Sequence, residues 1–333
     1  KNVGLFDLTP FSKFEIKSDN AHKELQKICT ANIKNEPGKC VYTHMLNSDG
    51  GIETDLTVVC IEKDHFRIIS SAATRERDKF HINKHLAKDV ELKDVTDDYC
   101  VFGVFGPKSR ALMKSISKDN FENDNFRFST AKYITIEGIK IWTQRLSYVG
   151  ELGYELYVKS KDAKKIYELF VNKGKDFNLS NCGMHAMDIM RMESGFLHWG
   201  HDISPEENQY QAGLSFTISS KKEDEFIGKK ALEKIKKEKI KSRFAMFTLK
   251  DSKPGEPLLL HDEPIYLENK IIGRSTSGNY SFNFRKNLTF GYINNDISND
   301  ELHKKDLFIE IEKKKYPIEL INKPLKQTNF KNN

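Results

Sequence analysis

Strand-like and helix-like stretches follow one another along this chain without the even strand-helix-strand rhythm of a parallel sheet, and that irregular order most narrows the folds open to it. Apolar, β-branched and aromatic runs at 14–16, 41–46, 56–61, 66–69, 101–104, 134–142 and 154–158 read as strands. Helical spacing marks 21–29, 74–86, 111–116, 163–171 and 184–193. Beyond a basic helical stretch, short β-like runs at 244–249, 264–267, 270–275, 290–293 and 307–311 make the last third mostly β. Gly50 and Gly51, after Asn47, Ser48 and Asp49, predict a hairpin turn, because glycine accepts the positive φ of a tight turn. The pattern predicts an α+β fold, and 333 residues, at about 150 per domain, predict two or three domains with a boundary near 222–230. Residues 326–333 are polar and expected to be frayed.

Several functional classes are disfavoured by the same text. No run approaches the roughly 20 apolar residues of a membrane-spanning helix, and the start lacks a signal-peptide layout, so a protein of the cytoplasm, or of the mitochondrial matrix in a eukaryote, is expected. Lys1 in place of methionine, followed at once by the apolar Val3, Leu5 and Phe6, predicts that the chain continues upstream. Cys29, Cys40, Cys60, Cys100 and Cys182 are odd in number and widely spaced without a CxxC pair, so they read as reduced, mostly buried thiols and not as metal ligands. The net charge of +6 is concentrated between Lys229 and Arg243. Ala231, Leu232, Ile235 and Ile240 interrupt that run and no aromatic side chain is interleaved for base stacking, which predicts an amphipathic helix with no nucleic-acid partner.

The familiar chemical motifs are also missing. Gly150 and Gly153 lack the third glycine of a dinucleotide loop, and there is no Walker sequence or GxSxG elbow. His81 and His85 share a helical face without the glutamate of an HExxH site, and His198 and His201 flank Trp199 and Gly200 without a nucleophile beside them. Three segments instead combine glycine with aromatic and acidic side chains: 42–56, 147–155 and 190–200. Glycine lets a ligand approach the backbone, aromatic rings offer faces to a flat heterocycle, and carboxylates accept from an amino-pyrimidine edge. Together these suit a pterin. Taken singly, Asp55 and Glu155 would read as surface carboxylates and Trp199 as core.

At these segments the chain resembles the folate-binding aminomethyltransferase family, the glycine-cleavage T-protein and its relatives. The likeness runs from Val3, Gly4 and Leu5 to Ser275, Thr276, Ser277 and Gly278 and on to Gly291 and Tyr292. His44, Met45 and Leu46, the stretch 148–156 and the stretch 225–232 are most similar to the folate-binding C-terminal half of dimethylglycine and sarcosine dehydrogenases. The resemblance implies a three-domain clover-leaf, with ferredoxin-like and antiparallel α+β domains around a central folate hole and a C-terminal β-barrel or jelly-roll-like domain. Residues 1–13 with 113–205 would form the first α+β domain, 14–112 the second and 206–333 the third. It also implies a catalytic role for Asp55 near the reactive N5 and N10 edge and for Tyr154, with Glu155, Tyr42, Tyr148, Trp199 and Ser71 binding tetrahydrofolate.

The activity implied is tetrahydrofolate-dependent one-carbon transfer. The carbon of an N-methyl amine, or of formaldehyde or an iminium, would be taken up as 5,10-methylene-tetrahydrofolate. Alternatives are the aminomethyltransferase of glycine cleavage, a demethylase yielding 5-methyl-tetrahydrofolate from a sulfonium or amine donor, and a folate-binding module without catalysis. A small methylated amine and an upstream or separate flavin oxidoreductase domain are the implied partners, ahead of a lipoyl carrier protein. The chain departs from T-proteins at Thr54, where they have a first acid after the Gly-Gly turn, at Ser71 for their asparagine, and at Met187, for an arginine before Asp188.

Overall fold

The computed structural model describes residues 2–222, 224–327 and 331. The chain opens with β1 (Val3–Asp7), β2 (Ser12–Lys17), α1 (Ala21–Ile28), β3 (Cys40–Leu46), β4 (Ile52–Glu62), β5 (His65–Ser70), α2 (Arg75–His85) and β6 (Leu92–Asp94). All of these strands except β1 form an antiparallel five-stranded sheet in the order β3-β4-β5-β2-β6. Period-two alternation sends Phe14, Ile16, Leu56, Val58, Phe66 and Ile68 to one face, where Leu25 and Ile28 of α1 bury them.

Next come β7 (Tyr99–Phe105), α3 (Ser109–Ile116), β8 (Thr130–Ile136), β9 (Ile139–Arg145), β10 (Gly153–Lys159), α4 (Ala163–Gly174), β11 (Leu179–Cys182) and α5 (Met184–Glu193). With β1 the strands build a six-stranded sheet, order β11-β1-β7-β10-β9-β8, covered on one face by α3 and α4 through Val104, Leu112, Ile134, Leu156, Ile166 and Phe170. After α6 (Lys229–Lys237) the strands β12 (Ser242–Leu249), β13 (Pro264–Leu267), β14 (Lys270–Ser281), β15 (Lys286–Asn294), then α7 (Asn299–Lys304), β16 (Leu307–Ile311) and β17 (Lys314–Ile321) complete the described elements. The last six strands close into a barrel.

Four sequence expectations are corrected. The stretch 99–105, placed in the second unit by the division at 112, pairs with β1 and β10 in the first, because its residues Val101, Gly103 and Phe105 are needed between those strands. The single strand expected at 134–142 is the hairpin of β8 and β9, turned by Glu137 and Gly138, both at positive φ (48° and 79°). The basic helix stops at Lys237, and Arg243 lies in β12. The tail is docked at Lys326, whose backbone N–H donates to Glu193 O at 2.8 Å and whose ammonium pairs with Glu151, while 328–330, 332 and 333 lie outside the described residues.

The two sheets turn their uncovered faces toward each other. Cys40, Val59 and Ile61 from one and Phe6, Val101, Phe105, Ala131, Trp142 and Tyr157 from the other join Met187 of α5 in a shared apolar cluster. Residues 197–235 wrap the β3–β4 end of the five-stranded sheet, packing Leu197, Ile203, Leu214 and Leu232 on Leu46 and Ile52. Helix α5 then docks on the barrel: Arg191, 1% exposed, meets Asp202 at 2.5 Å and Ser277 Oγ at 2.8 Å, and Glu193 accepts from Ser281 and Asn283. Among the described residues, no helix is long and apolar enough to cross a membrane.

Candidate functional site

Strand register places the site. On β3 the residues Cys40, Tyr42 and His44 share one face, spanning roughly 13 Å of strand. His44 lies directly opposite Asp55 of β4, and the last registered pair of β4 and β5, Leu56 with Ser70, leaves Ser71 one step beyond, alongside Asp55. On the six-stranded sheet Glu155 is directly opposite Gln144 on one side and Gly103 on the other, on the face that carries Trp142 and Tyr157 into the shared cluster. Cys40, at one end of the β3 face, lies near Glu155: burial first, and then the Glu155 charge, push its thiol upward. His44, at the other end, lies 3.9 Å from Asp55 Oδ1. The two carboxyls therefore lie on the facing sheets, near opposite ends of the face that Cys40, Tyr42 and His44 share.

Asp55 is 18% exposed at its side chain, and burial lifts its pKa to about 7 against the opposing hydrogen bond of Tyr42, with the negative charge of Asp78 adding to the rise. Burial likewise lifts Glu155 to about 7, with the Tyr157 hydroxyl, 3.3 Å from Oε2, pulling the other way. Tyr42 is 39% exposed, yet desolvation is the main cause that drives its hydroxyl well above the ordinary tyrosine value. Its ring forms a half-exposed aromatic wall beside Asp55. Phe216, 74% exposed, stacks on Tyr42 at 6.5 Å and extends that aromatic wall. Tyr148 donates to Leu197 O at 2.8 Å and stacks on Phe196 at 6.2 Å, and its hydroxyl is raised by burial, offset by Arg191 and reinforced by Asp55.

His44 was not singled out for chemistry by the sequence, and the structure gives it a defined state. It is fully buried, and desolvation lowers its pKa to about 3, so its contact with Asp55 is one of a neutral ring and not an ion pair. Thr217 Oγ1, 2.7 Å from Leu214 O, meets His44 Nδ1 at 3.0 Å, and the Gln209 amide nitrogen lies 3.4 Å from the same ring nitrogen. Its Nε2 lies 3.3 Å from the Tyr42 hydroxyl and 3.9 Å from Asp55 Oδ1. Thr54, where T-proteins have an acid, donates to Asp78 at 3.1 Å, and Ser70 and Thr74 satisfy the same buried carboxyl.

Two expected residues lie elsewhere. Tyr154 alternates with Glu155 along β10 and so points to the opposite face, fully buried among Phe121 and Phe126 with its hydroxyl 3.4 Å from Phe121 O. It belongs to the core beneath the sheet. Trp199 donates from Nε1 to Ile52 O at 3.0 Å under the Arg77 guanidinium, 4.6 Å above its ring, and packs with the cluster of Leu46 and Ile52, beyond the Asp55 end.

The GCVT N-terminal domain family matches residues 1–222, and the glycine cleavage T-protein C-terminal barrel domain family matches residues 243–326. The chain belongs to the glycine cleavage T-protein family. A dimethylglycine dehydrogenase of Rattus norvegicus is 32% identical over 98% of this chain and 38% of its own length. A 4-methylaminobutanoate oxidase (formaldehyde-forming) of Paenarthrobacter nicotinovorans is 37% identical over 84% of this chain and 34% of its own. The chain thus spans well under half of these relatives. An aminomethyltransferase of Halothermothrix orenii is 32% identical over 88% of this chain and 80% of its own length. The same fold is seen in the glycine cleavage system aminomethyltransferase T from Bartonella henselae, with a TM-score of 0.85 at 20% identity, covering 97% of this chain and 86% of that one. The family as a whole is one of folate-dependent aminomethyltransferases.

Proposed function

We propose that the chain binds tetrahydrofolate between its two facing sheets and transfers to it the carbon of an N-methyl amine, as formaldehyde or an iminium, giving 5,10-methylene-tetrahydrofolate. The observation that supports this reading is the placement of Asp55 and Glu155, a hundred positions apart in the chain, on the facing sides of two sheets that meet in an aromatic and apolar cluster. The donor set fits the group: a carboxyl and an amide lie side by side at Glu155 and Gln144, and aromatic rings flank the far end. Tetrahydrofolate supplies nucleophilic ring and arm nitrogens. Glu155 accepts from the pyrimidine edge and fixes its orientation. Tyr42, Tyr148 and Phe216 exclude water around the ring. Asp55, with a pKa near neutrality, takes up or returns a proton at the reacting edge, where low local polarity increases the effect of its charge.

The names of the dehydrogenase and oxidase relatives support an N-methyl amine as the carbon source, from a flavin oxidoreductase unit upstream or separate from this chain. Met187, where T-proteins carry arginine, packs in the apolar cluster and supports the same choice. The glycine-cleavage reaction is the second reading, favoured by the 32% identity to an aminomethyltransferase that this chain covers for most of its length. Titration calorimetry with tetrahydrofolate, followed by product analysis with formaldehyde and with candidate methylamines, tests the proposal. Micromolar binding and folate-dependent consumption of formaldehyde are expected. Absence of folate binding overturns it, and binding without turnover leaves only a folate-binding module.

A further inference from the structure

Gln144 is fully buried, and neither its amide nitrogen nor its amide oxygen has a hydrogen-bond partner among the described residues. A buried amide without partners is costly, and such a side chain persists in a fold for a reason outside its own packing. Its place in the sheet supplies one. Gln144 and Glu155 are directly opposed across β9 and β10, so their side chains lie next to each other on one face. Ala131 flanks Gln144 and Gly103 flanks Glu155, so no polar side chain in that row competes for their hydrogen bonds. Tyr157 satisfies one oxygen of the carboxyl and leaves the amide unmatched.

A 2-amino-4-oxo-pyrimidine presents three groups along one edge: an exocyclic amine and a ring N–H that donate, and a carbonyl oxygen that accepts. A carboxylate alone matches the first two and leaves the oxygen without a donor. Resting on the folate reading above, we propose that Gln144 is the second polar arm of the pterin site, its amide nitrogen donating to the C4 oxygen while Glu155 accepts from the amine and the ring N–H. The pair then reads the whole edge, and Gln144 separates 4-oxo pterins from analogues that lack the oxygen.

The test compares wild type with Gln144→Met, which keeps the volume and removes both polar atoms, and with Gln144→Glu, which keeps the shape and replaces the donor by an acceptor. The dissociation constants of tetrahydrofolate and of a tetrahydropterin lacking the C4 oxygen are measured by calorimetry, and the melting temperature of each ligand-free protein by thermal unfolding. Gln144→Met is expected to weaken tetrahydrofolate about tenfold or more, to leave binding of the oxygen-free analogue unchanged, and to keep or raise the ligand-free melting temperature. Gln144→Glu is expected to weaken tetrahydrofolate at least as much. Equal affinity of wild type and Gln144→Met for tetrahydrofolate overturns the inference while leaving the folate reading intact. Equal losses for both ligands with a lowered melting temperature, or failure of both variants to fold, assign Gln144 to packing and overturn it as well. A wild type that binds no folate removes both.

Discussion

At the scale of single residues, the proposed chemistry rests on a carboxyl held near neutrality by its surroundings. Desolvation raises Asp55 to about 7, from an ordinary value of 3.8, and the Tyr42 hydroxyl moderates the rise. The working form as a base is the carboxylate, so kcat/KM should climb with pH through an apparent value near 7. Asp55→Asn is expected to abolish that limb and slow transfer on the order of a hundredfold, while folate affinity changes little. Turnover that stays near wild type, with the same pH limb, would remove Asp55 from the reaction. Stability has its own sign. Because the folded pKa is raised, the unfolded chain gives up its proton first as pH rises, so the native state loses stability between about 4 and about 7. Asp55→Asn should therefore melt higher than wild type at pH 7 and above and no higher at pH 3. The burden on Glu155 has the same sign.

At the scale of strands and turns, alternation and turn chemistry decide which residues the sequence made legible. A family pattern marks Glu155 and Asp55 as the proposed site residues, and alternation puts Tyr154, one step from Glu155, in the core with Phe121 and Phe126. Single-residue spacing carries no information about which face is the ligand's, and so Tyr154 was misread. Gln144 and His44 were not legible as site residues, since an isolated amide or imidazole in a strand becomes meaningful only once register sets it opposite a carboxyl. The turn of Glu137 and Gly138 carried a glycine and could have been found, whereas β17 follows a turn of Glu312 and Lys313, both at positive φ and neither a residue that favours it. The glycine turn at 50 and 51 was readable, but its tertiary purpose was not. A Cβ at Gly51 would stand 1.8 Å from Pro205 O, where the wrapping segment crosses the hairpin. Gly51→Ala is predicted to cost about 1–3 kcal/mol by denaturant unfolding. Gly255→Ala, with open space around it and only its positive φ to resist, should cost about 1 kcal/mol. Equal costs at the two positions would show that the crossing exerts no constraint.

At the scale of the whole molecule, the proposed site depends on three separately cored units holding together. The facing sheets share an apolar cluster, and α5 ties them to the barrel through Arg191, Asp202 and Glu193. Asp202 is fully buried and also accepts from Thr276 at 2.5 Å, Ser277 at 2.8 Å and the His198 N–H at 3.0 Å. Removing Arg191 leaves that charge without its counter-ion, so Arg191→Met is predicted to destabilise by about 3–5 kcal/mol and to weaken folate binding as the barrel loosens. A melting temperature within a degree or two of wild type would contradict the clamp. The α+β class, the mostly β last third and the presence of several domains were legible from element order. The return of the strand Tyr99–Phe105 to the first sheet was not, since nothing local distinguishes a strand that pairs with residues 3–7 from one that pairs with its sequence neighbours.

The central claim is that Asp55 and Glu155 act on the two ends of a single folate. A crystal structure of the chain soaked with tetrahydrofolate measures this directly. The account predicts the pyrimidine edge within hydrogen-bonding distance of Glu155 and the reactive nitrogens beside Asp55. A folate bound with either carboxyl outside its reach, or bound outside the space between the two sheets, would contradict it.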